Sequence, residues 1–493
     1  MLFFLVIFTL HIPFLRLPYF WDEAGYYIPA ARDLFLTGSL IPHSTPSNAH
    51  PPLVLAYLAL AWRLVGYAPV VARTAMLSIS AFALTGLFRL SERVANREVA
   101  CGSTICVALY PVFFAQSTLA HLDLAAAALT FWGLLAYVEN RRWNMALWFS
   151  LAALAKETAI LAPLALLLWE LLVGARKSRV EQSQRAGALL LPIVPLICWY
   201  GLHWYRTGFV FGNPEFLRYN VQETLHPLRF LLALGLRLWQ VLVYMGMYLL
   251  SFAALLALYL PPRSDDGIER KRIEPEIQFA FLAVILAYAL AMATIGGAVL
   301  ARYMLPAVPL VIIVFVSTLR RRLCNWRVIT VFVVAGFVVA LFVNPSYGFS
   351  FEDNLAYRDY ILLHQRAEML LEARYPNARV LTAWPGNDEL SRPYLGYVTR
   401  PMRVLRIEDF TAEQLAAATM LRSNYDVAFV FSTKYEPAHP WFDRWSRWQD
   451  WKREYFGYHR DLRPEAAAQL LGGEIVYQQS LRQQWVAIIV LVP

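Results

Sequence analysis

The chain has 493 residues, of which 58% are hydrophobic and only 16% charged, whereas soluble domains usually carry about 25% charged residues. Charge-free runs such as Val328–Val343 and Gln278–Gly297 approach bilayer length and are continuous, which points to α-helical spans and excludes a transmembrane barrel. The formal net charge of +9 does not imply a nucleic-acid partner, because most of the excess lies in short loops between apolar runs and reads as a topology signal.

The chain opens on MLFFLVIFTLHIPFL, with no basic stretch and no small-residue cleavage site. That is a retained first span and not a removed signal peptide. Its reach is roughly 26 Å at 1.5 Å per residue, short for a span, which leaves room for a true start upstream of Met1. The next stretch, YFWDEAGYYIPAARDL, sets Asp22 and Glu23 side by side near a membrane edge. Two readings stay open. The acids could sit in the first turn of an interfacial helix, where they accept backbone N–H groups and complement the macrodipole. They could instead serve a reaction. The same loop carries His43 and His50. His50 opens HPPL, whose prolines restrict the backbone whatever the histidine does.

The run Pro51–Gly66 is apolar, but as a span it would flip every later basic loop. It is expected to lie flat at the outer interface as an amphipathic helix, with Trp62 and Arg63 at headgroup level. The first outer loop then runs over 18–69. Spans are expected near 1–17, 70–89, 99–117, 121–138, 143–156, 158–173, 186–204, 236–260, 278–297, 304–319 and 328–344, about eleven in all by length and hydropathy. The basic clusters Arg89/Arg93/Arg97, Arg141/Arg142, Arg176/Lys177/Arg179/Arg185, Arg263/Arg270/Lys271/Arg272 and Arg320/Arg321/Arg322/Arg327 fall in alternate loops. They are placed in the cytoplasm, as is the N-terminus. Cys101, Cys106, Cys198 and Cys324 lie in spans or cytoplasmic loops without metal-ligand spacing, so no disulfide framework is implied.

Residues 345–493 differ in kind. DNLAYRDYILLHQRAEMLLEARYP reads as an amphipathic helix with Leu355, Ile361, Leu362 and Met369 at helical spacing. ARVLTAW, MRVLRIED, YDVAFVFST and QWVAIIVLV read as strands, with NDELSRPYLG and TAEQLAAATMLRS as helices between them. The expected architecture is therefore a polytopic α-helical membrane domain over 1–344 and an extracytoplasmic α/β domain over 345–493. No Gly-rich phosphate loop is present, so the second domain is not read as nucleotide-binding.

The remaining charges stand out against this apolar background. Asp123 begins a span two residues after His121. Lys156-Glu157 separates two short spans, and Arg302 precedes the Pro-rich start of another in ARYMLPAVPL. Each has a plain structural reading: a helix cap for Asp123, a self-neutralising pair for Lys156-Glu157, headgroup snorkelling for Arg302. All of them map to the same outer face as Asp22. Carboxylates beside cations suit glycosyl transfer from a lipid phosphate. A carboxylate takes the acceptor hydroxyl proton, and the cations offset charge on the departing phosphate.

The ordered pattern WDEAGYY, ARDLFLTGSLIP, HPPL, an acid at an outer span start, AKE and RYMLP resembles the GT-C glycosyltransferases over about residues 1–320. The nearest group is that of the dolichyl-phosphate-mannose protein mannosyltransferases and the lipid A aminoarabinose transferases. The resemblance implies a polyprenyl-phosphate-linked sugar donor, inversion at the sugar, and a site facing the periplasm or lumen. It makes Asp22 the catalytic first-loop acid and Glu23 its usual neighbour, and it assigns Lys156 and Arg302 to the donor phosphate. His50 sits in the HPPL form typical of the mannosyltransferase branch, where the aminoarabinose branch carries lysine. His50, Asp123, His121 and Tyr26 are assigned to the sugar or acceptor site. The expected activity is hexosyl or pentosyl transfer to a protein, lipid or glycan acceptor in a cell envelope, from a bacterial inner membrane. No metal site is obligate, although oxygen-rich carboxylates could hold a divalent cation. The alternative, a transporter or flippase of lipid-linked sugars, expects charges at mid-membrane depth and repeated halves. Here the charges gather on one face.

Overall fold

The computed structural model describes residues 1–173, 179–212, 214, 225–265, 268–295, 297–437 and 445–491. Arg176 and Lys177, two of the expected cytoplasmic charges, lie outside the described residues. Every run expected to span contains helix: Leu2–His11, Pro69–Val94, Arg97–Leu109 with Pro111–Gln116, Leu122–Val138, Arg142–Ala155, Leu161–Val173, Ile193–Thr207, Pro227–Leu242 with Met247–Leu258, Pro275–Thr294, Val308–Arg322 and Trp326–Phe342. Among the described residues, Pro69–Val94, Val180–Thr207, Pro227–Leu258 and Pro275–Thr294 are long and apolar enough to cross a membrane. The breaks have local causes. Pro111 starts a new helix because it has no N–H to give the preceding turn. Pro227–Leu258 kinks where Met245 adopts a φ of +49°.

The two ends of the bundle differ in chemistry. Arg320 and Arg327 both bind Glu98, and Arg270 Nη1 donates to the Arg320 carbonyl at 2.6 Å. Three of the expected basic loops therefore meet at one end. The helix Pro69–Val94 joins that end, at Arg93, to the other end, at Arg73, across about 30 Å. The unexplained outer charges gather around the second end.

There the first outer loop folds as a π-turn, Glu23–Tyr27, continuing into the helix Ile28–Thr37. Gly38 ends this helix at a φ of +76°, a conformation that costs glycine little. Asp33 Oδ2 then accepts the amides of His43 and Ser44, each at 2.7 Å, and ties the return of the loop to its helix. The helix expected to lie at the interface forms at Leu53–Val65. Trp62 departs from expectation. It is buried against Phe35 and Tyr67, while Leu60, Leu64 and Val65 are the exposed apolar groups beside Arg63. The indole thus seals the loop, and aliphatic side chains form the outward face.

The C-terminal unit contains a five-stranded sheet in the order β4–β3–β5–β7–β6. The short hairpin β1 (Ser264–Asp265) and β2 (Ile268–Glu269) precedes it. In the sheet, β3 (Arg379–Ala383) pairs in parallel with β4 (Arg403–Ile407) and β5 (Val427–Phe431), as alternating strands and helices require. β7 (Gln484–Leu491) runs antiparallel to β5 and carries β6 (Gly473–Leu481) at the edge. β6 was not expected: GEIVYQQSL alternates half-buried and exposed residues, buries none fully, and reads as polar. Met369 also differs, because it faces solvent while Leu355 and Ile361 are buried.

The buried apolar side chains form two clusters. One fills the helical bundle. The other is continuous from Tyr19, Phe20, Tyr27 and Ile28 of the first outer loop to Tyr357, Leu395, Phe429 and Phe431 of the C-terminal unit. Packing thus joins the loop at 18–69 to residues beyond 345, although the chain between them belongs to the bundle.

Candidate active site

The segment carrying Asp22 is pinned from the C-terminal unit. Trp21, at a φ of +47°, holds a left-handed conformation that costs a non-glycine residue about 1–2 kcal/mol. Its ring lies 5.4 Å from Tyr360 and 5.2 Å from Trp384. A Cβ at Gly25 would stand 2.7 Å from Trp384 Nε1, so this approach requires glycine. Tyr397 Oη donates to the Tyr19 carbonyl at 3.0 Å, and the Tyr19 amide donates to the Leu395 carbonyl at 3.2 Å.

Asp22 and Glu23 then point to different partners. Asp22 makes no side-chain cap to its helix; its Oδ2 accepts from Arg302 Nη2. Glu23 is fully buried. Its two oxygens take Arg73 Nη1 and Nη2 at 2.9 and 3.0 Å, the Ala120 amide at 2.6 Å and the Phe20 amide at 2.8 Å. Arg73 also donates to the carbonyls of Thr118 and Pro18. Every lone pair that Glu23 could offer a substrate is used within the fold.

Arg302 is the hub of the site. It lies on the 3-10 turn Ala301–Met304, ahead of the helix Val308–Arg322. Besides Asp22, its Nη1 binds Glu352 Oε2, and its Nε lies 3.3 Å from Asp123 Oδ2. The Asp123 carboxylate does not cap its helix; Lys156 Nζ donates to its Oδ1 at 2.6 Å. Lys156 is extended, with a φ of −156°, between two helices that end on either side of it. Glu157 turns away to accept from His50 Nδ1 at 2.9 Å, so the adjacent pair does not neutralise itself.

Carboxylates outnumber cations here. Asp22, Asp123, Glu352 and Asp353 face Arg302 and Lys156, and Asp353 accepts from Tyr244 Oη at 2.6 Å. Burial raises Glu352 to about 8, against the pull of Arg302 and with the help of Asp353, Asp22 and Asp123. Burial raises Asp353 also. The cations converge on one aromatic ring: Lys156 Nζ lies 4.2 Å from the Tyr303 centroid, Arg237 Cζ 5.5 Å and Arg302 Cζ 5.7 Å. Arg237 Nη1 holds the Leu300 carbonyl at 2.7 Å and so sets the turn bearing Arg302; its Nη2 is buried without a hydrogen-bond partner among the described residues.

Of the expected sugar or acceptor residues, His121 joins the cluster, 3.2 Å from Arg302 Nη1 and 2.8 Å from Gln116 Oε1. Tyr26 packs on Trp384 at 5.8 Å; its neighbour Tyr27 is the one that lies between His121, at 5.8 Å, and His50, at 6.2 Å. The structure therefore brings Asp22, Asp123, His121, Lys156 and Arg302 into one group, sets His50 at its margin, and turns Glu23 and Tyr26 elsewhere. Glu352, Arg237 and Tyr303 were not singled out by sequence. FED follows the last apolar run as WDE follows the first, and Arg237 interrupts LLALGLRLWQVL; both are charges in apolar surroundings, the signal that marked the others.

Part of the chain matches a known family model, and the fold as a whole is similar to solved structures. Residues 49–199 match the family model described as dolichyl-phosphate-mannose-protein mannosyltransferase. Among solved structures, ArnT from Cupriavidus metallidurans bound to undecaprenyl phosphate is similar with a TM-score of 0.56 and 12% identity, covering 99% of this chain and 97% of that one. The apo state of the same protein gives 0.55 with the same identity and coverage. No curated protein matches by sequence.

Proposed function

We propose that this protein is an integral membrane glycosyltransferase that moves a sugar from a polyprenyl-phosphate carrier to a hydroxyl acceptor, with inversion, on the extracytoplasmic side of a bacterial inner membrane. The observation that carries this reading is the sharing of one buried guanidinium, Arg302, among Asp22, Asp123 and Glu352, with Lys156 completing the pair to Asp123. In the resting site the cations are neutralised by the carboxylates. A donor phosphate competes for Arg302 and Lys156, whose charge then offsets that developing on the leaving phosphate. The same exchange frees the Asp22 carboxylate, which takes the acceptor hydroxyl proton as the oxygen attacks the sugar carbon and the carbon–phosphate oxygen bond breaks. Glu23 is a positioning residue that fixes the loop through Arg73. His50, His121, Asp123 and Tyr27 line the sugar or acceptor side. The acceptor is a protein, lipid or glycan.

Asp22, His121 and Glu352 also have ligand atoms close enough to hold a divalent cation, which would add positive charge at the phosphate. Arg302 already stands among these carboxylates and supplies charge of the same sign, so transfer proceeds without an obligate metal. The test is mass spectrometry of envelope glycans and glycoproteins from cells that make the wild-type protein or Asp22→Asn. A sugar addition present with the first and absent with the second is expected. The same product from both overturns the assignment.

A further inference from the structure

The helix Ala356–Arg374 buries His364 and Glu368 one turn apart, and the short helix Gly386–Ser391 brings Glu389 against them. All three side chains are at most 1% exposed. His364 Nδ1 stands 2.6 Å from Glu389 Oε2 and 3.5 Å from Glu368 Oε1. The walls are aromatic, with Tyr360 stacked on the imidazole at 3.8 Å and the Phe431 ring at 4.4 Å. Among the described residues, no lysine or arginine pairs with Glu368 or Glu389. Among the described residues, five buried polar atoms there lack a hydrogen-bond partner while both acids are ionised: both Glu368 oxygens, Glu389 Oε1, His364 Nε2 and Tyr360 Oη; a proton on Glu368 lets it bond to Glu389. Two carboxylates enclosed by rings without a countercharge are strongly unfavourable.

We propose that His364, Glu368 and Glu389 bind one divalent first-row transition ion, zinc by ligand chemistry, as a structural centre of the C-terminal unit. One ligand atom from each lies within 4.8 Å of the others. Donor atoms about 2.1 Å from a tetrahedral zinc stand about 3.4 Å apart; Glu368 Oε1 is at 3.5 Å from His364 Nδ1, while Glu389 Oε2, at 2.6 Å, has to move outward on binding. An ion of charge +2 neutralises both carboxylates, and imidazole with carboxylate is a zinc donor set. The site is closed, as structural centres are, and leaves no path for a substrate. It ties the helix that follows Glu352 to the turn that follows Trp384, the two segments that flank the Asp22 loop. Protons are the rival occupant, since burial and the facing Glu389 raise Glu368 far above the carboxylate range.

The test uses the full chain in detergent, loaded with Zn2+ and dialysed, with metal measured by mass spectrometry. Wild type is expected to retain about one zinc per chain. Glu368→Gln and Glu389→Gln should each lose it, while Glu352→Gln keeps it and so separates this centre from the carboxylates around Arg302. X-ray absorption of zinc on Glu352→Gln, in which the group Asp22, His121 and Glu352 is broken, should give one imidazole and otherwise oxygen ligands, which decides the matter if the Glu368 and Glu389 variants fail to fold. No retained zinc, retention in Glu389→Gln with loss in Glu352→Gln, or a spectrum without imidazole overturns the proposal.

Discussion

Two buried arginines sit near one another at the end of the bundle away from Glu98, and they are paired in opposite ways. Arg73 meets a single carboxylate, Glu23, bidentately; the remaining oxygen lone pairs take backbone amides, and the arginine fills the carbonyls of Thr118 and Pro18. Arg302 meets three carboxylates at once and completes none of them; among the described residues, Asp123 Oδ2 and Glu352 Oε1 remain without hydrogen bonds. A pair whose carboxylate is fully used has little to exchange with a ligand, even though Arg73 Nε lacks a hydrogen-bond partner among the described residues. An oversubscribed one can trade partners cheaply when a phosphate arrives. Adjacent residues in sequence, Asp22 and Glu23, fall on either side of that line.

Breaking each side separately sharpens the contrast. The largest effect is expected from Asp22→Asn, with transfer lowered about 10³-fold, within the range for a general base, while the thermal midpoint in detergent changes little. A variant that unfolds would move Asp22 to the structural side. Arg73→Met should do the reverse, costing about 3–5 kcal/mol of stability by stranding the Glu23 charge, read as loss of monodisperse protein; a stable, inactive variant would erase the distinction. Arg237→Gln is expected to raise the donor KM about tenfold, or ~1.4 kcal/mol, with kcat near wild type. An effect on kcat alone would mean that Arg237 acts only by setting the turn of Arg302.

A further effect concerns pH. Glu352 is raised from 4.5 to about 8 in the folded protein. Its contribution to stability is therefore fully present below 4.5 and is lost as pH rises through 8. Thermal midpoints of wild type should fall over that window relative to those of Glu352→Gln, and parallel curves would refute the assignment.

The sequence makes much of this site legible because charge in an apolar context is rare. Asp22, Asp123, Lys156 and Arg302 stand out by that criterion, and the structure brings them together. Glu23 satisfies the same criterion and has a different role. Its partner Arg73 looks like an ordinary basic residue near a helix start, and pairing across fifty positions leaves no local trace. Arg237 and Glu352 were legible in kind, yet one was absorbed into a span and the other into the lead-in to an amphipathic helix. The helices Ser446–Phe456 and Pro464–Leu471 were not expected, while three helices and four strands of the C-terminal unit follow their periodicity. β6 escapes it because an edge strand with a half-exposed face needs little apolar alternation.

The shared core between the first outer loop and the C-terminal unit has a practical consequence. A fragment ending at 344 would retain Asp22, Asp123, Lys156 and Arg302, yet it would lose Glu352 and bare the faces of Tyr19, Phe20 and Trp21. The complementary fragment would bare Tyr360 and Trp384. Neither piece is a natural unit for expression, and a fusion or a protease site is better placed in the exposed loops at the basic end of the bundle.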